Sequence, residues 1–315
     1  MNKPVLLLTF NRLDYLKDVF EKVKEAKPPR LYLASDGARP EKEGENEKVE
    51  EVRNYMLSNI DWDCEVKTRF LKTNSGGCCN GVSGAITWFF ENEKDGIILE
   101  DDIVPDISFF NFCEELLDKY NDNKEIWTIT GYAPVKTDLE SSYYFAKIPH
   151  CWGWATWADR WEHFKLDMSG YDRENLKYFS ERKEVQKYWE DILIGLQEQR
   201  IDSWAYPWTF WIVANNGYCI NPVKNLISNI GVTGLHYTNS KNLDLNKCTN
   251  EFETLIHPKD ILFNDKLIDL IYKDKFGIFP KNVVWYKKIF SIVNDNNQKI
   301  LTILGVKIKF RRKEN

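Results

Sequence analysis

The chain predicts an α/β fold, a doubly wound sheet with helices packed on it, and three observations predict it. Four strand-length runs alternate with segments of helical spacing through residues 4–102. The first run, PVLLLTF (4–10), is apolar throughout, as a strand buried on both faces is. Every run closes on a polar cluster, at Thr9/Asn11/Arg12, Asp36, Asn74–Gly77 and Glu100–Asp102. Ligands in open α/β sheets sit beyond the carboxyl ends of the strands, so four polar ends along one edge form a candidate site.

The elements follow in order. LDYLKDVFEKVKEA (13–26) spaces Leu13, Leu16, Val19, Phe20 and Val23 along one helical face, and Pro28–Pro29 stop it. RLYLASDG (30–37) is a second strand, residues 41–57 a charged helix with a solvated face, and DCEVKTRFL (63–71) a third strand. NSGGCCNGVSGAITWFFEN (74–92) is a glycine-rich turn opening a helix, and GIILEDD (96–102) is the fourth strand. SFFNFCEELLDKY (108–120) is a helix capped by Pro105–Asp106. Residues 105–235 mix helices with aromatic-rich loops, and from 241 onward the chain is a Lys/Asn/Asp-rich helical extension.

A net charge of −5 argues against duplex nucleic acid as a partner. Aromatics at 14%, with 12 Trp, suit either a large core or sites for sugars and bases. Seven cysteines, two of them adjacent (Cys78–Cys79), fit neither a disulfide framework nor zinc spacing, which points to a reducing, cytoplasmic setting. No signal peptide and no apolar run of membrane-spanning length is visible.

DGIILEDDIVPD (95–106) drives an apolar strand into three acids. While the chain stays extended, Glu100 and Asp102 share one side and Asp101 takes the other. Carboxylates this close raise one another's pKa unless a cation or donors offset them. Mg²⁺ and Mn²⁺ do so with only one or two carboxylates plus substrate phosphates. The alternative is a solvated loop, but Pro105–Asp106 already supplies the helix cap. GxxxxGK[ST] is absent, and GGCCNG lacks the GxGxxG order, which leaves a nucleoside diphosphate held largely through its metal.

PVLLLTFNR, the Asn74/Gly76 turn before a helix and LEDD after the fourth strand together resemble GT-A glycosyltransferases. LEDD in particular resembles the branch with an EDD form of the DxD motif, as in N-acetylglucosaminyltransferase I. CWGWATWADRW (151–161), DSWAYPW (202–208) and NLISNIGVTGLHYT (225–238) resemble bacterial nucleotide-diphospho-sugar transferases of surface-polysaccharide synthesis. The resemblance covers residues 4–240. It implies a GT-A catalytic domain over 1–240, with a nucleotide-sugar half (1–104) and an acceptor half (105–240), followed by the extension 241–315.

Carried over by position, the resemblance makes Asp102 the ligand of a Mn²⁺ (or Mg²⁺) bridging the donor diphosphate, with Glu100 and Asp101 contacting ribose or water. Thr9, Asn11, Arg12 and Asp36 hold the nucleoside, with Asn74 and Gly76 beside it; Arg12 also reads as a surface ion pair. His236 takes a second metal or diphosphate contact, or is structural. The implied reaction is inverting transfer from a nucleotide sugar, by default a UDP-sugar, to a saccharide or lipid-linked saccharide. A carboxylate serves as base. Asp202 is the candidate, before the aromatics Trp204, Tyr206, Trp208 and Trp211; the alternative is that it caps the following helix. Relatives often carry an acid directly after the tryptophan, where this chain has Ala205, and Asp191 is a further candidate. Trp152, Trp154 and Trp204 are acceptor-contact candidates, whereas Trp157 and Trp161, four apart, read as core.

KILTILGVKIKFRRK (299–313) ends the chain with apolar residues and five cations from Lys307 to Lys313. Such a tail could rest peripherally on the anionic inner face of the cell membrane; the alternation over 306–310 reads equally as a terminal strand. Two rivals remain. A sugar-phosphate nucleotidyltransferase needs a glycine- and lysine-rich loop after the first strand, which TFNRLDYL lacks. A non-catalytic carbohydrate-binding protein would leave the acid cluster without a purpose.

Overall fold

A computed structural model describes residues 1–231, 252 and 254–279, and the backbone of strands at 290–295, 298–303 and 306–311. Residues 1–264 form one unit and 265–315 a second. The first unit begins β1 (Val5–Thr9), α1 (Leu13–Ala26), β2 (Arg30–Ser35), α2 (Glu45–Ser58), β3 (Glu65–Phe70), α3 (Cys78–Phe90) and β4 (Asp95–Glu100). It continues through β5 (Ile103–Pro105), α4 (Ile107–Lys119), β6 (Ile126–Thr130), β7 (Tyr143–Ala146), β8 (Trp154–Trp157) and α5 (Ala158–Trp161). It closes with α6 (Lys183–Gln197), α7 (Ala205–Ala214), β9 (Tyr218–Pro222) and β10 (Ile227–Asn229). The fold is mixed α/β, with a large central sheet flanked by helices.

Eight strands make that sheet, in the order β3-β2-β1-β4-β8-β6-β9-β7. The first four are parallel, β8 is antiparallel to both β4 and β6, and β9 runs parallel to β6. The carboxyl ends of β1, β2, β4, β6 and β9 therefore meet along one edge. β1 sits between β2 and β4 and is buried at all five positions, which is why its sequence carries no polar alternation.

Apolar side chains pack on both sheet faces. One cluster joins Leu7, Leu33 and Leu99 to Leu16, Phe20, Phe109 and Phe112 of α1 and α4. The other joins Leu6, Ile98 and Trp154 to Ile86 and Phe89 of α3 and to Trp208 of α7. Helix α4 starts where its cap is expected, with the Asp106 carboxylate accepting from the Ser108 N–H at 2.8 Å.

Three expectations change. The charged helix begins at Glu45 rather than 41, after Gly44 at φ +73°. The fourth strand stops at Glu100; Asp101–Asp102 form a turn, and β5 then pairs antiparallel with β10. The second unit, expected to be helical apart from an alternating tail that reads equally as a strand, holds α8 (Asp265–Phe276) and then a three-stranded antiparallel sheet of β11 (Phe290–Asp295), β12 (Gln298–Ile303) and β13 (Val306–Arg311), so the strand reading of 306–310 holds. Alternation at the chain end favours strand over helix because period two leaves no continuous helical stripe. Among the described residues, no helix is long and apolar enough to cross a membrane.

Candidate active site

The acidic end of β4 lies at the middle of the sheet edge. Arg12, in the three-residue link between β1 and α1, reaches across to it. Its Nη1 donates to Asp102 Oδ2 at 2.8 Å, its Nε to Asp101 Oδ2 at 3.3 Å, and its Nη2 to Asp101 Oδ1. An extended strand would split the two aspartates to opposite sides; the turn brings both to one guanidinium. The surface ion pair considered for Arg12 is in fact a bridge at the candidate site. Burial works against the Arg12 charge, and the two aspartates more than offset it, raising its pKa.

One cation does not balance three acids. Burial, then Asp102 and Asp101, push the Glu100 carboxyl up to about 8, against only Arg12. Asp101 is 3% exposed, and burial takes it up to about 6 although Arg12 pulls it down. A carboxyl raised in the folded state is ionised in the unfolded chain first, so stability falls as pH climbs from about 4.5 towards about 8. Glu100→Gln should therefore raise the melting temperature of the ligand-free protein, by more at pH 8 than at pH 5. An equal shift at both pH values in thermal melts would contradict this account.

Asp102 is held from the other side by the chain after β10. Ile230 N–H donates to its carbonyl at 2.9 Å, and a Cβ on Gly231 would lie 2.2 Å from its Oδ2. Any larger residue there would displace the Asp102 carboxylate from its present position. Residue 231 thus stands against Asp102, five positions before His236, which lies outside the described residues.

The expected nucleoside contacts divide. Thr9 is buried and its hydroxyl donates to the Ala34 carbonyl at 3.1 Å. Asn11 donates to Glu45 at 3.0 Å, and Glu45 is also clamped by Arg39. Asp36 accepts from the N–H groups of Gly37 and Ser75 at 2.8 and 2.9 Å and from the Ser75 hydroxyl at 2.6 Å. Asn74 donates to the Gly37 carbonyl at 2.9 Å and accepts from Gly76 N–H at 3.1 Å, with Gly76 at φ +87°. Asp36 and Asn74 therefore bind the β2 loop to the glycine turn and set its shape. Ser75 and Glu45, which no motif marks, complete those two networks.

Asp202 caps a helix, but not the one that follows it. Its Oδ1 accepts from the Cys79 N–H at 3.4 Å in the first turn of α3, and its Oδ2 lies 3.2 Å from where a Gly77 Cβ would be. Helix α7 is capped by Ser203 rather than Asp202, the Ser203 hydroxyl accepting from the Tyr206 N–H at 3.4 Å. The adjacent Cys78 is exposed at its surface, and crowding around its thiol, then the charges of Glu100 and Asp202, raise its pKa. Cys151, just ahead of β8, also feels Glu100 and Asp102 after its burial. Cys78 and Cys151 thus lie near Glu100, and Asp202 stands on the far side of Cys78 at the start of α3, a convergence that no sequence spacing reveals.

Two acceptor candidates have no ring face free to stack on a sugar. Trp154 and Trp204 are 1% and 4% exposed and stack on each other at 5.5 Å and 23°, so their ring faces are spent on the core. Trp152 is partly buried against Tyr132, edge-on at 4.8 Å. Trp157 and Trp161 lie in the core as expected. Asp191 pairs with Lys187 at 2.7 Å on the exposed face of α6.

No group of three acidic, histidine or cysteine side chains among the described residues could hold a metal ion by itself. The donor set instead suits an ion shared with a ligand. Asp102 keeps one oxygen that Arg12 does not engage, and Mg²⁺ or Mn²⁺ commonly takes one or two carboxylates and draws its other ligands from phosphates and water.

No family model and no curated protein matches the chain. Among solved structures it overlaps TarS of S. aureus at 15% identity and a TM-score of 0.29, over 41% of this chain and 21% of that one. It overlaps the glycosyltransferase GlyE of Streptococcus pneumoniae at 10% identity and 0.32, over 66% and 42% respectively. A UDP-glucose pyrophosphorylase complexed with UDP-glucose overlaps at 10% identity and 0.33, over 54% and 82%. The chain thus spans about a fifth of the length of TarS.

Proposed function

We propose that the protein is a metal-dependent, inverting glycosyltransferase that moves a sugar from a nucleotide-diphosphate donor, by default a UDP-sugar, to a saccharide or lipid-linked saccharide. One observation carries the reading: three carboxylates at the end of a central strand, one guanidinium between two of them, and the first residue of helix α3, Cys78, within reach of the Glu100 charge. Excess negative charge asks for a cation, whereas Arg12 and the start of α3 suit an anion. A metal–diphosphate satisfies both.

Asp102 would hold Mn²⁺ or Mg²⁺, with His236 as the second candidate ligand. The ion, when bound, offsets charge developing on the departing diphosphate. Arg12 keeps Asp101 and Asp102 oriented and adds positive charge beside the phosphates. Asp202 would take the proton from the acceptor hydroxyl as its oxygen attacks. Its hold on α3 then ties the base to the element that faces the donor. The link from β1 to α1 is only Phe10–Arg12, too short for a glycine- and lysine-rich phosphate loop; this weighs against a nucleotidyltransferase. Peripheral contact of the basic tail with anionic membrane belongs to the same proposal.

A thermal-shift panel of nucleotide sugars, each with and without Mn²⁺, tests it. The correct donor at a hundred times its Kd should stabilise the protein by about 2.7 kcal/mol, and only when metal is present. A panel in which no donor shifts the melt with metal present ends the proposal.

A further inference from the structure

Strand register places four polar side chains in one row across the sheet. Thr130 of β6 pairs with Trp154 of β8, and Asn221 of β9 pairs with Tyr144 of β7. Ile129 and Ile220, the residues just before Thr130 and Asn221, pair with each other, so the row is continuous. Trp154 also pairs with Ile98 of β4. Glu100 is the next same-face residue on β4, so the row begins about 7 Å from the acidic end.

Every member of the row is 4% exposed or less. Thr130 Oγ1 accepts from the Tyr132 N–H at 3.2 Å. Among the described residues, Asn221 Oδ1 and Nδ2, Tyr144 Oη and Trp154 Nε1 have no hydrogen-bond partner. Burial raises the Tyr144 phenol's pKa, and Asn221 is near enough to ease that rise without meeting hydrogen-bond geometry. Trp208 Nε1, from α7 over the same face, is likewise unpartnered. Burying a polar atom without a partner is unfavourable, and native proteins leave few. Five on one sheet face, beside the candidate active site, form a cluster that wants a ligand.

We infer that this row is the floor of a subsite for a neutral, hydroxyl-rich ligand, a saccharide unit of the acceptor. The inference rests on the glycosyl-transfer reading above. The atoms fit sugar hydroxyls, which donate and accept: the amide and the phenol do both, and the two indole N–H groups donate. None of these side chains is charged, so a phosphate or carboxylate would find donors but no countercharge. Trp204 covers one face of Trp154, which makes recognition a matter of hydrogen bonds rather than ring stacking. Entry requires the cover to yield, since Trp204 and Trp208 lie 5.5 and 6.2 Å from Trp154. Tryptophan emission should register that movement.

Full-length protein, Tyr144→Phe and Asn221→Leu are titrated with the methyl glycosides of glucose, galactose and N-acetylglucosamine, following tryptophan fluorescence. Thermal melts and UDP binding are measured alongside. At least one glycoside should give a saturable change in the unsubstituted protein. Its affinity should fall about tenfold in both variants, while neither variant melts lower and UDP affinity stays constant. Tyr144→Phe, which removes one oxygen, keeps the test sound if Asn221→Leu does not fold. Absence of a saturable response to all three glycosides overturns the inference, as does unchanged glycoside affinity in Tyr144→Phe. A lowered melt with unchanged affinity would identify ordered water as the partner, which overturns it too. Failure of UDP to bind the unsubstituted protein strikes the glycosyl-transfer reading instead, and is scored separately from the glycoside response.

Discussion

Asp202→Asn is expected to lower turnover by roughly 10²- to 10⁴-fold, the usual range for loss of a general base, with donor affinity nearly unchanged. The structure makes this substitution discriminating. Asp202 Oδ1 accepts from the Cys79 N–H at the start of α3, and an asparagine oxygen accepts the same bond. The cap survives while the proton acceptor is lost. Asp202→Ala removes both and should also cost about 1 kcal/mol of stability, as lost helix caps do. The pair of variants therefore separates chemistry from capping. Turnover of Asp202→Asn equal to that of the unsubstituted enzyme would leave Asp202 as a cap alone.

The second large effect is on stability. Arg12→Met should destabilise the protein by about 3 kcal/mol or more at pH 8, the usual consequence of stripping the partner from a buried charge. Asp101 is 3% exposed and has Arg12 as its cation. Without it, Asp101 can lower its energy only by protonation. Its folded-state pKa, already raised by burial, then rises further above the unfolded one, so the deficit grows as pH rises and shrinks towards pH 5. Urea or thermal unfolding at the two pH values reads this out directly. A deficit independent of pH would mean that Arg12 acts through packing, and the charge argument would fail.

Both predictions concern residues that local sequence pattern marks, whereas their connections carry no such mark. The strands at 4–10 and 30–37 stand out because a strand buried on both faces must be apolar along its length. The acidic end of β4 is visible for the same reason, as a sudden reversal of polarity. Its geometry is hidden, because a two-residue turn overrides the alternation that an extended chain would keep. Trp154 and Trp204 illustrate the opposite failure: a tryptophan in a loop-like sequence can stack on a sugar or on another tryptophan, and composition does not distinguish them.

Neighbours along the chain suffice to specify the alternation of strand and helix, the four polar strand ends and the surplus of acid at Glu100–Asp102. Folding in three dimensions sets the rest: Arg12 bridges Asp101 and Asp102, Asp202 caps α3 rather than α7, and Asn221 and Tyr144 share a row leading to the site. The Arg12 and Asp202 contacts join residues from 89 to 123 positions apart, and only the sheet order and the turn bring them within reach. Local pattern carries no information about which distant partners will meet. Strand order, set by how both sheet faces are buried, supplies it.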